Sequence, residues 1–238
     1  MINIDRKETN TLYYLKLFLG VVFQLALFGG LLFGPAGTLD WPDAIILMIV
    51  YTILSLVSVV YLQIYHPKGL AARMQGLSSN SQPRDDKVAT PILVFAFALC
   101  FVSNALDVFY LQLLPPPPST IKYLGLGLYL VGYLIIVISI AQNEFAAPIV
   151  YDQTHRGQEL RDQGLYRQIR HPMYSGALLF MAGLSLWLES YAGAMTVGLL
   201  ILAFLPRIFA EEAYLKKALP GYKRYLKNVR HRLVPGIW

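Results

Sequence analysis

Charged side chains are scarce in this sequence, and cysteine is nearly absent. Aspartate, glutamate, lysine and arginine make up 14% of the 238 residues, against about 25% in an ordinary soluble domain. The single cysteine, Cys100, excludes an intramolecular disulfide framework, and the sequence shows no zinc-ligand spacing, so no metal site is predicted. Because 56% of the residues are hydrophobic, lipid is the expected surroundings for most of the chain.

Long apolar runs account for this composition. One helical crossing of a bilayer needs about 20 apolar residues. Four runs reach that length, and a fifth is about twice as long and broken near residues 189–193, as expected of a helical hairpin. Backbone groups in lipid must be paired within their own segment, so the sequence predicts an all-α polytopic membrane protein with about six transmembrane helices. The runs span residues 12–33, 44–65, 88–114, 121–141 and 172–209.

Basic residues are distributed unevenly between the connections. Of the 20 lysines and arginines, only Lys122 lies in the connections at 34–43, 115–122 and 189–193, and the other 19 lie in the alternate connections, the terminal segments and the helix ends next to them. Cytosolic loops are enriched in Lys and Arg, so both termini are predicted to be cytosolic. This asymmetry also explains the net charge of +6 without a nucleic-acid partner. The predicted location is the cell membrane or the endoplasmic reticulum.

Polar and aromatic residues suited to ligand binding are concentrated in the second half of the chain. Residues 164–176 read GLYRQIRHPMYSG. Pro172 suits the first turn of a helix, because its missing N–H would have no partner there. His171 then lies at the helix entrance, where free N–H groups attract an anion such as a cofactor carboxylate. The alternative is that Arg170 and His171 anchor the helix to lipid head groups.

Two further segments follow near the C-terminus. Arg207 and Glu211 are four residues apart and share a helix face. Glu211 and the adjacent Glu212 could hold a cation, or all three could form an ordinary solvated helix end. Beyond them, Tyr222 and Tyr225 lie on one face of a short amphipathic helix with basic residues on the other. Such a helix either covers a site or lies on lipid.

Together these segments resemble the isoprenylcysteine carboxyl methyltransferase family and the related phospholipid N-methyltransferases. The resemblance covers about residues 121–238, which would form a methyltransferase region of three helices and a C-terminal amphipathic helix. Residues 1–120 would then be a scaffold of three transmembrane helices. The motifs that carry the resemblance are RHPMYSG at 170–176, RxxxEE at 207–212 and GYxxY at 221–225, followed by Val229, Arg232 and Pro235.

The resemblance implies that S-adenosylmethionine binds at the cytosolic ends of the last helices. Arg207 matches the position that the family assigns to the substrate, and Arg207 and Glu211 would form the catalytic pair. In two respects this chain departs from its relatives: Gln158 replaces a usual histidine, and the insert between Glu144 and Gln158 is longer than in the eukaryotic enzymes. A different substrate entrance is therefore expected. The residues that match the cofactor positions are Gln142, Gln158, Glu159, Leu160, Arg161, Tyr166, His171, Pro172, Met173, Tyr174 and Glu211.

The predicted function is therefore methylation of a lipophilic acceptor in the membrane, by carboxyl O-methylation of an isoprenylcysteine-like substrate. An ionised carboxylate needs no general base, and Arg207 would align it by two hydrogen bonds. The alternatives are N-methylation of phosphatidylethanolamine, S-methylation of a small thiol and, without catalysis, a membrane scaffold or transporter. A transporter would need discontinuous helices or polar groups near the bilayer midplane, which is almost wholly apolar in this sequence.

Overall fold

The computed structural model describes residues 3–74, 80, 82–150, 153 and 157–238. Helices dominate these residues and no strand occurs among them, which confirms the predicted all-α class. Of the insert predicted between Glu144 and Gln158, residues 151, 152 and 154–156 lie outside the described residues. The α-helices are α1 Asn3–Ala36, α2 Pro42–Tyr65, α3 Pro67–Arg73, α4 Arg84–Leu106, α5 Ser119–Gln142, α6 Pro172–Trp187, α7 Tyr191–Met195, α8 Val197–Ala218 and α9 Tyr222–Asn228.

Among the described residues, five helical segments are long and apolar enough to cross a bilayer, as expected of a multi-pass membrane protein. They are Thr11–Ala36, Pro42–Tyr65, Arg84–Leu111, Ser119–Gln142 and Tyr191–Ala218. Many large apolar side chains on them are exposed, a pattern that suits contact with lipid tails rather than water.

The predicted sixth crossing corresponds to α6, which has 16 residues. At about 1.5 Å per residue, α6 spans about 24 Å, less than the roughly 30 Å of a bilayer core. The helix ends because the chain turns at Leu188–Ser190, where Glu189 has a φ of +64°. The count of six crossings and the cytosolic termini therefore stay predictions.

Helices α5 and α6 are in close backbone contact at their glycines. A Cβ atom added to Gly132 would lie under 3.0 Å from the backbone of Phe180, and one added to Gly183 would lie equally close to the backbone of Tyr129. Gly125 is packed in the same way, whereas Gly127 has no neighbour within 4 Å. Small residues let membrane helices approach closely, and here two of the three glycines in α5 serve that purpose.

At the opposite end of the helices, Lys122 forms ion pairs with two carboxylates. The Lys122 ammonium lies 2.8 Å from an Asp43 carboxylate oxygen and 3.2 Å from Glu189 Oε1. It also lies 5.2 Å from the centre of the Trp187 ring. Lys122 thus links α2, α5 and the turn after α6, away from the residues with predicted functions.

Candidate active site

The predicted cofactor residues, with the exception of Gln142, line a single polar cleft. The cleft lies between the entrance of α6, the end of α8, α9 and the described residues between positions 143 and 161. Its volume is about 90 Å³, so a nucleoside-sized ligand would extend beyond it or displace side chains. The lining residues with predicted roles are Gln158, Glu159, Leu160, Arg161, Tyr166, His171, Pro172, Met173, Tyr174, Arg207 and Glu211.

Gln142 lies outside the cleft and supports one of its walls. Its Oε1 accepts a hydrogen bond of 2.8 Å from the Leu165 backbone N–H. Gly164, with φ of +58°, packs so closely on the Gln142 amide that a Cβ atom there would collide with it. Gln142 therefore fixes the turn that leads to Tyr166, and its contacts are those of a positioning residue.

The apolar face of α9 packs on the cleft. Tyr222 and Tyr225 are buried and pack near Leu160 and Leu219, and both tyrosines line the cleft. In the structure the helix covers the site with its apolar face. Tyr225 Oη donates a 2.7 Å hydrogen bond to the backbone carbonyl of Tyr166.

Buried tyrosines supply neutral donors around the cleft. Burial raises the pKa of Tyr166, Tyr222 and Tyr225 above that of an ordinary phenol. At neutral pH these side chains therefore stay protonated and uncharged. They offer apolar ring surface and hydroxyl groups without adding negative charge.

Glu211 faces the cleft and is tied to α6 through a tyrosine. Its side chain is 29% exposed, and its Oε2 accepts a 2.7 Å hydrogen bond from Tyr174 Oη. That hydroxyl in turn accepts a bond of 3.3 Å from Arg207 Nε. Arg207 and Glu211 are thus connected through Tyr174, and the simple helix-surface pair between them is not formed.

Glu212 points away from the cleft into a buried ionic cluster. Its carboxylate is 2% exposed and lies 2.9 Å from Arg170 Nη1, 3.3 Å from His171 Nε2 and 3.2 Å from Arg232 Nε. Arg170 and His171 are themselves buried, so they are not head-group anchors in this structure. The cluster joins α8 to the entrance of α6 and to the C-terminal segment, and this arrangement occupies the carboxylate that could have served as a base.

Arg207 already has a carboxylate partner, which the sequence analysis did not identify. Its Nη1 donates to Asp86 and to Thr90 Oγ1, the latter at 3.2 Å, and its Nη2 donates to the Pro148 carbonyl at 2.9 Å. Both members of the Arg207–Asp86 pair are buried, at 3% and 0% exposure. The Arg207 Nε donates to Tyr174. A guanidinium has five N–H groups, so one N–H on Nη2 has no acceptor among the described residues. A contact of Arg207 with a substrate through two hydrogen bonds would require it to leave Asp86.

One local signal could have pointed to Asp86. Gln82, Asp86 and Thr90 recur every four residues at the start of an apolar helix, so they form a polar stripe on one face. In the structure Gln82 Nε2 donates to Asp86 at 2.7 Å and Thr90 Oγ1 donates to the Asp86 carbonyl at 2.8 Å. The Val150 backbone N–H completes the set at 3.0 Å.

A second, mostly apolar cavity of about 480 Å³ adjoins the polar cleft. Side chains from α1, α2, α3, α4, α5, α6 and α8 line it, including Phe28, Tyr51 and Phe97. Its volume lies within the range of about 300–1,000 Å³ that is typical of ligand pockets. The residues common to the cavity and the cleft are Ala147, Met173, Tyr174 and Arg207.

The donor set of the cleft fits S-adenosylmethionine. Glu211 offers a partly exposed carboxylate to a cationic ligand, and Arg161, 37% exposed and bonded to Glu144 Oε1 at 2.7 Å, places a guanidinium at the cleft. The tyrosines and Leu160 provide apolar surface for a nucleoside. The described residues contain no group of histidine, cysteine, aspartate and glutamate side chains arranged to hold a metal ion.

Comparison with known families agrees with this geometry. No curated protein matches the chain significantly. Residues 120–220 match the family model described as phospholipid methyltransferase. That family includes the isoprenylcysteine-type membrane methyltransferases, so the resemblance found in the sequence is confirmed at the level of the family. Residues 120–220, which hold nearly all of α5 together with α6 and α8, are therefore similar to the phospholipid methyltransferase family, which points to a membrane methyltransferase.

Proposed function

We propose that this protein transfers the methyl group of S-adenosylmethionine to the carboxylate of an isoprenylcysteine-like lipid at the cytosolic face of the membrane. The observation that carries the proposal is the junction of the polar cleft with the apolar cavity at Met173, Tyr174 and Arg207. A polar cofactor and a lipophilic acceptor could each approach this junction from its own side. Alignment of two reactants in this way can contribute several kcal/mol to lowering a barrier.

The cofactor would supply a methyl group on a sulfonium, which is electrophilic and positively charged. Glu211 would favour that charge by Coulomb attraction, and Tyr174 would keep its carboxylate oriented. A carboxylate oxygen of the acceptor forms the new bond to carbon as the carbon–sulfur bond breaks, so an ester and a thioether result. No proton has to be removed.

The composition of the apolar cavity supports an anionic acceptor. Its lining contains no aspartate, glutamate or histidine among the described residues, and its cationic members are Arg73 and Arg207. A neutral or protonated amine would need a base near the junction. Glu212 is buried in its ionic cluster, Asp86 is paired with Arg207, and Glu211 is assigned to the cationic cofactor in this proposal.

N-methylation of phosphatidylethanolamine is the second candidate function, because the matching family model is described by phospholipid methylation. In that case Glu211, on the cleft side of the junction, is the carboxylate best placed to take the proton. The two candidates differ in the chemical stability of the product, since mild alkali releases methanol from a methyl ester but leaves an N-methyl group in place.

Radiolabelled S-adenosylmethionine tests the proposed function directly. We expect saturable binding with micromolar-scale affinity, about −8 kcal/mol, and transfer of label to a prenylated cysteine in lipid nanodiscs. The label should then be released as volatile methanol by mild alkali. If the label resists alkali and migrates with phosphatidylethanolamine derivatives, the methyl acceptor is an amine and not a carboxylate. An absence of saturable cofactor binding up to millimolar concentration would refute both.

Replacing Glu211 by glutamine tests its place in cofactor binding. The change removes the negative charge and keeps the shape of the side chain. A charge-assisted contact is worth about 1.5–3 kcal/mol, so the Kd for S-adenosylmethionine should rise roughly 10- to 150-fold. Asp162→Asn is the matched control, because Asp162 is exposed and does not line the cleft. Equal losses in the two variants, measured by calorimetry, would contradict a direct role for Glu211.

A further inference from the structure

One arginine in the apolar cavity lacks the carboxylate partner that the other buried arginines have. Arg73, at the end of α3, is half-buried and lines the cavity. Arg207 is paired with Asp86 and Arg170 with Glu212. No carboxylate of the described residues lies within ion-pair distance of Arg73. A guanidinium withdrawn from water without an anion is energetically costly.

Arg73 lies beside the junction of the cavity and the cleft. Its Nη1 lies 3.7 Å from Met173 Sδ, and Met173 lines both the cavity and the cleft. Thioether sulfur is a weak acceptor, so this contact does not neutralise the charge. Burial lowers the pKa of the Arg73 guanidinium, but guanidinium groups in proteins remain protonated at neutral pH. The cavity therefore has a cation beside the point where methyl transfer would take place.

We propose that Arg73 is the receptor for the anionic group of the lipid acceptor, either a carboxylate or a phosphate, while the apolar cavity holds the lipid tail. This inference rests on the proposed function and names the residue that selects the acceptor. The planar guanidinium can bind either anion through two parallel hydrogen bonds. Arg207, which the sequence suggested for this role, is neutralised by Asp86, and its contact with Tyr174 makes it a positioning residue for the junction.

Ligand binding without cofactor separates this proposal from catalysis. Wild-type protein, Arg73→Gln, Arg73→Lys and Arg84→Gln are reconstituted in phosphatidylcholine nanodiscs. The ligands are a farnesylated N-acetylcysteine, its uncharged methyl ester and dodecyl phosphate. Arg84→Gln is the matched control, because Arg84 is exposed at the start of α4 and lines neither the cavity nor the cleft. Thermal unfolding midpoints show whether each variant is folded.

We expect the wild type to bind the acid more tightly than the ester. Arg73→Gln should raise the Kd of the acid about 10- to 150-fold and leave the ester and S-adenosylmethionine unchanged, and Arg73→Lys should restore part of the difference. In methyl-transfer assays Arg73→Gln should raise KM more than it lowers kcat. If Arg73→Gln weakens the binding of dodecyl phosphate and not that of the acid, Arg73 is still the anion receptor and phosphate is its ligand.

The proposal is overturned if folded Arg73→Gln retains the wild-type affinity for both anions, or if it loses affinity for the ester equally. Failure of the proposed function would look different. In that case S-adenosylmethionine would not bind or no label would be transferred, while the dependence of anion binding on Arg73 could still be measured.

Discussion

Replacing Asp86 by alanine is expected to lower the free energy of unfolding by about 3–5 kcal/mol, because it leaves the Arg207 guanidinium buried without a counter-charge. Asp86 is fully buried and also accepts hydrogen bonds from Gln82 and from the Val150 backbone. Its loss therefore removes contacts that hold α8 and the segment near Val150 to α4. Methyl transfer should fall together with stability, since Arg207 and Tyr174 share a hydrogen bond at the junction.

Asp85→Ala is the control for this prediction. Both aspartates lie in the first turn of α4, so both interact with the helix dipole, but Asp85 is exposed. Its replacement should cost no more than about 1 kcal/mol. The double variant Asp86→Leu with Arg207→Met should recover much of the lost stability and remain inactive, because replacing a whole buried pair by apolar residues is often neutral. Denaturant titration in mixed micelles measures these differences. Equal costs for Asp85→Ala and Asp86→Ala would show that the pair does not stabilise the fold.

Replacing Gly132 by alanine should destabilise the protein by about 1–3 kcal/mol, the usual cost of overpacking. The new Cβ would lie under 3.0 Å from backbone atoms of Gly176 and Phe180. Backbone cannot rotate aside as a flexible side chain can, so α5 and α6 would have to separate. Since α6 carries Met173 and Tyr174 to the junction, methyl transfer should decrease as well.

The same substitution five residues earlier, at Gly127, should not lower the stability. A Cβ atom on Gly127 meets nothing within 4 Å, and alanine in a helix interior is favoured over glycine by about 1 kcal/mol. Gly127→Ala should therefore be neutral or stabilising. Unfolding of the two variants under identical conditions gives the comparison. Similar effects at both positions would mean that the close approach of α5 and α6 does not depend on Gly132.

The helical, membrane-embedded class followed from composition, because the need to pair backbone groups in lipid acts on every residue of an apolar run. The segments that line the cleft were also accessible from sequence. Residues 170–176 are contiguous, and the proline that begins α6 sets the position of His171 by local rules alone. The break in the last apolar run was predicted near residues 189–193 and lies at the turn around Glu189.

Sequence patterns were less informative where one motif residue had several possible partners. Glu211 and Glu212 are neighbours with the same chemistry, yet one faces the cleft and the other lies in a buried cluster with Arg170 and Arg232. Their side chains point in different directions from the same helix turn. Which of the two reaches the cleft depends on the elements packed around α8, and these come from distant parts of the chain.

The sequence by itself determined the helices, their affinity for lipid and the local motifs of a methyltransferase. The tertiary structure decided which charges remain available for a ligand. Asp86 and Arg207 are 121 residues apart, so no local spacing relates them, yet their pairing leaves Arg73 as the cation without a carboxylate partner among the described residues of the cavity. Pairing of buried charges depends on distances through space, and those distances are set only when α3, α4, α6 and α8 pack together.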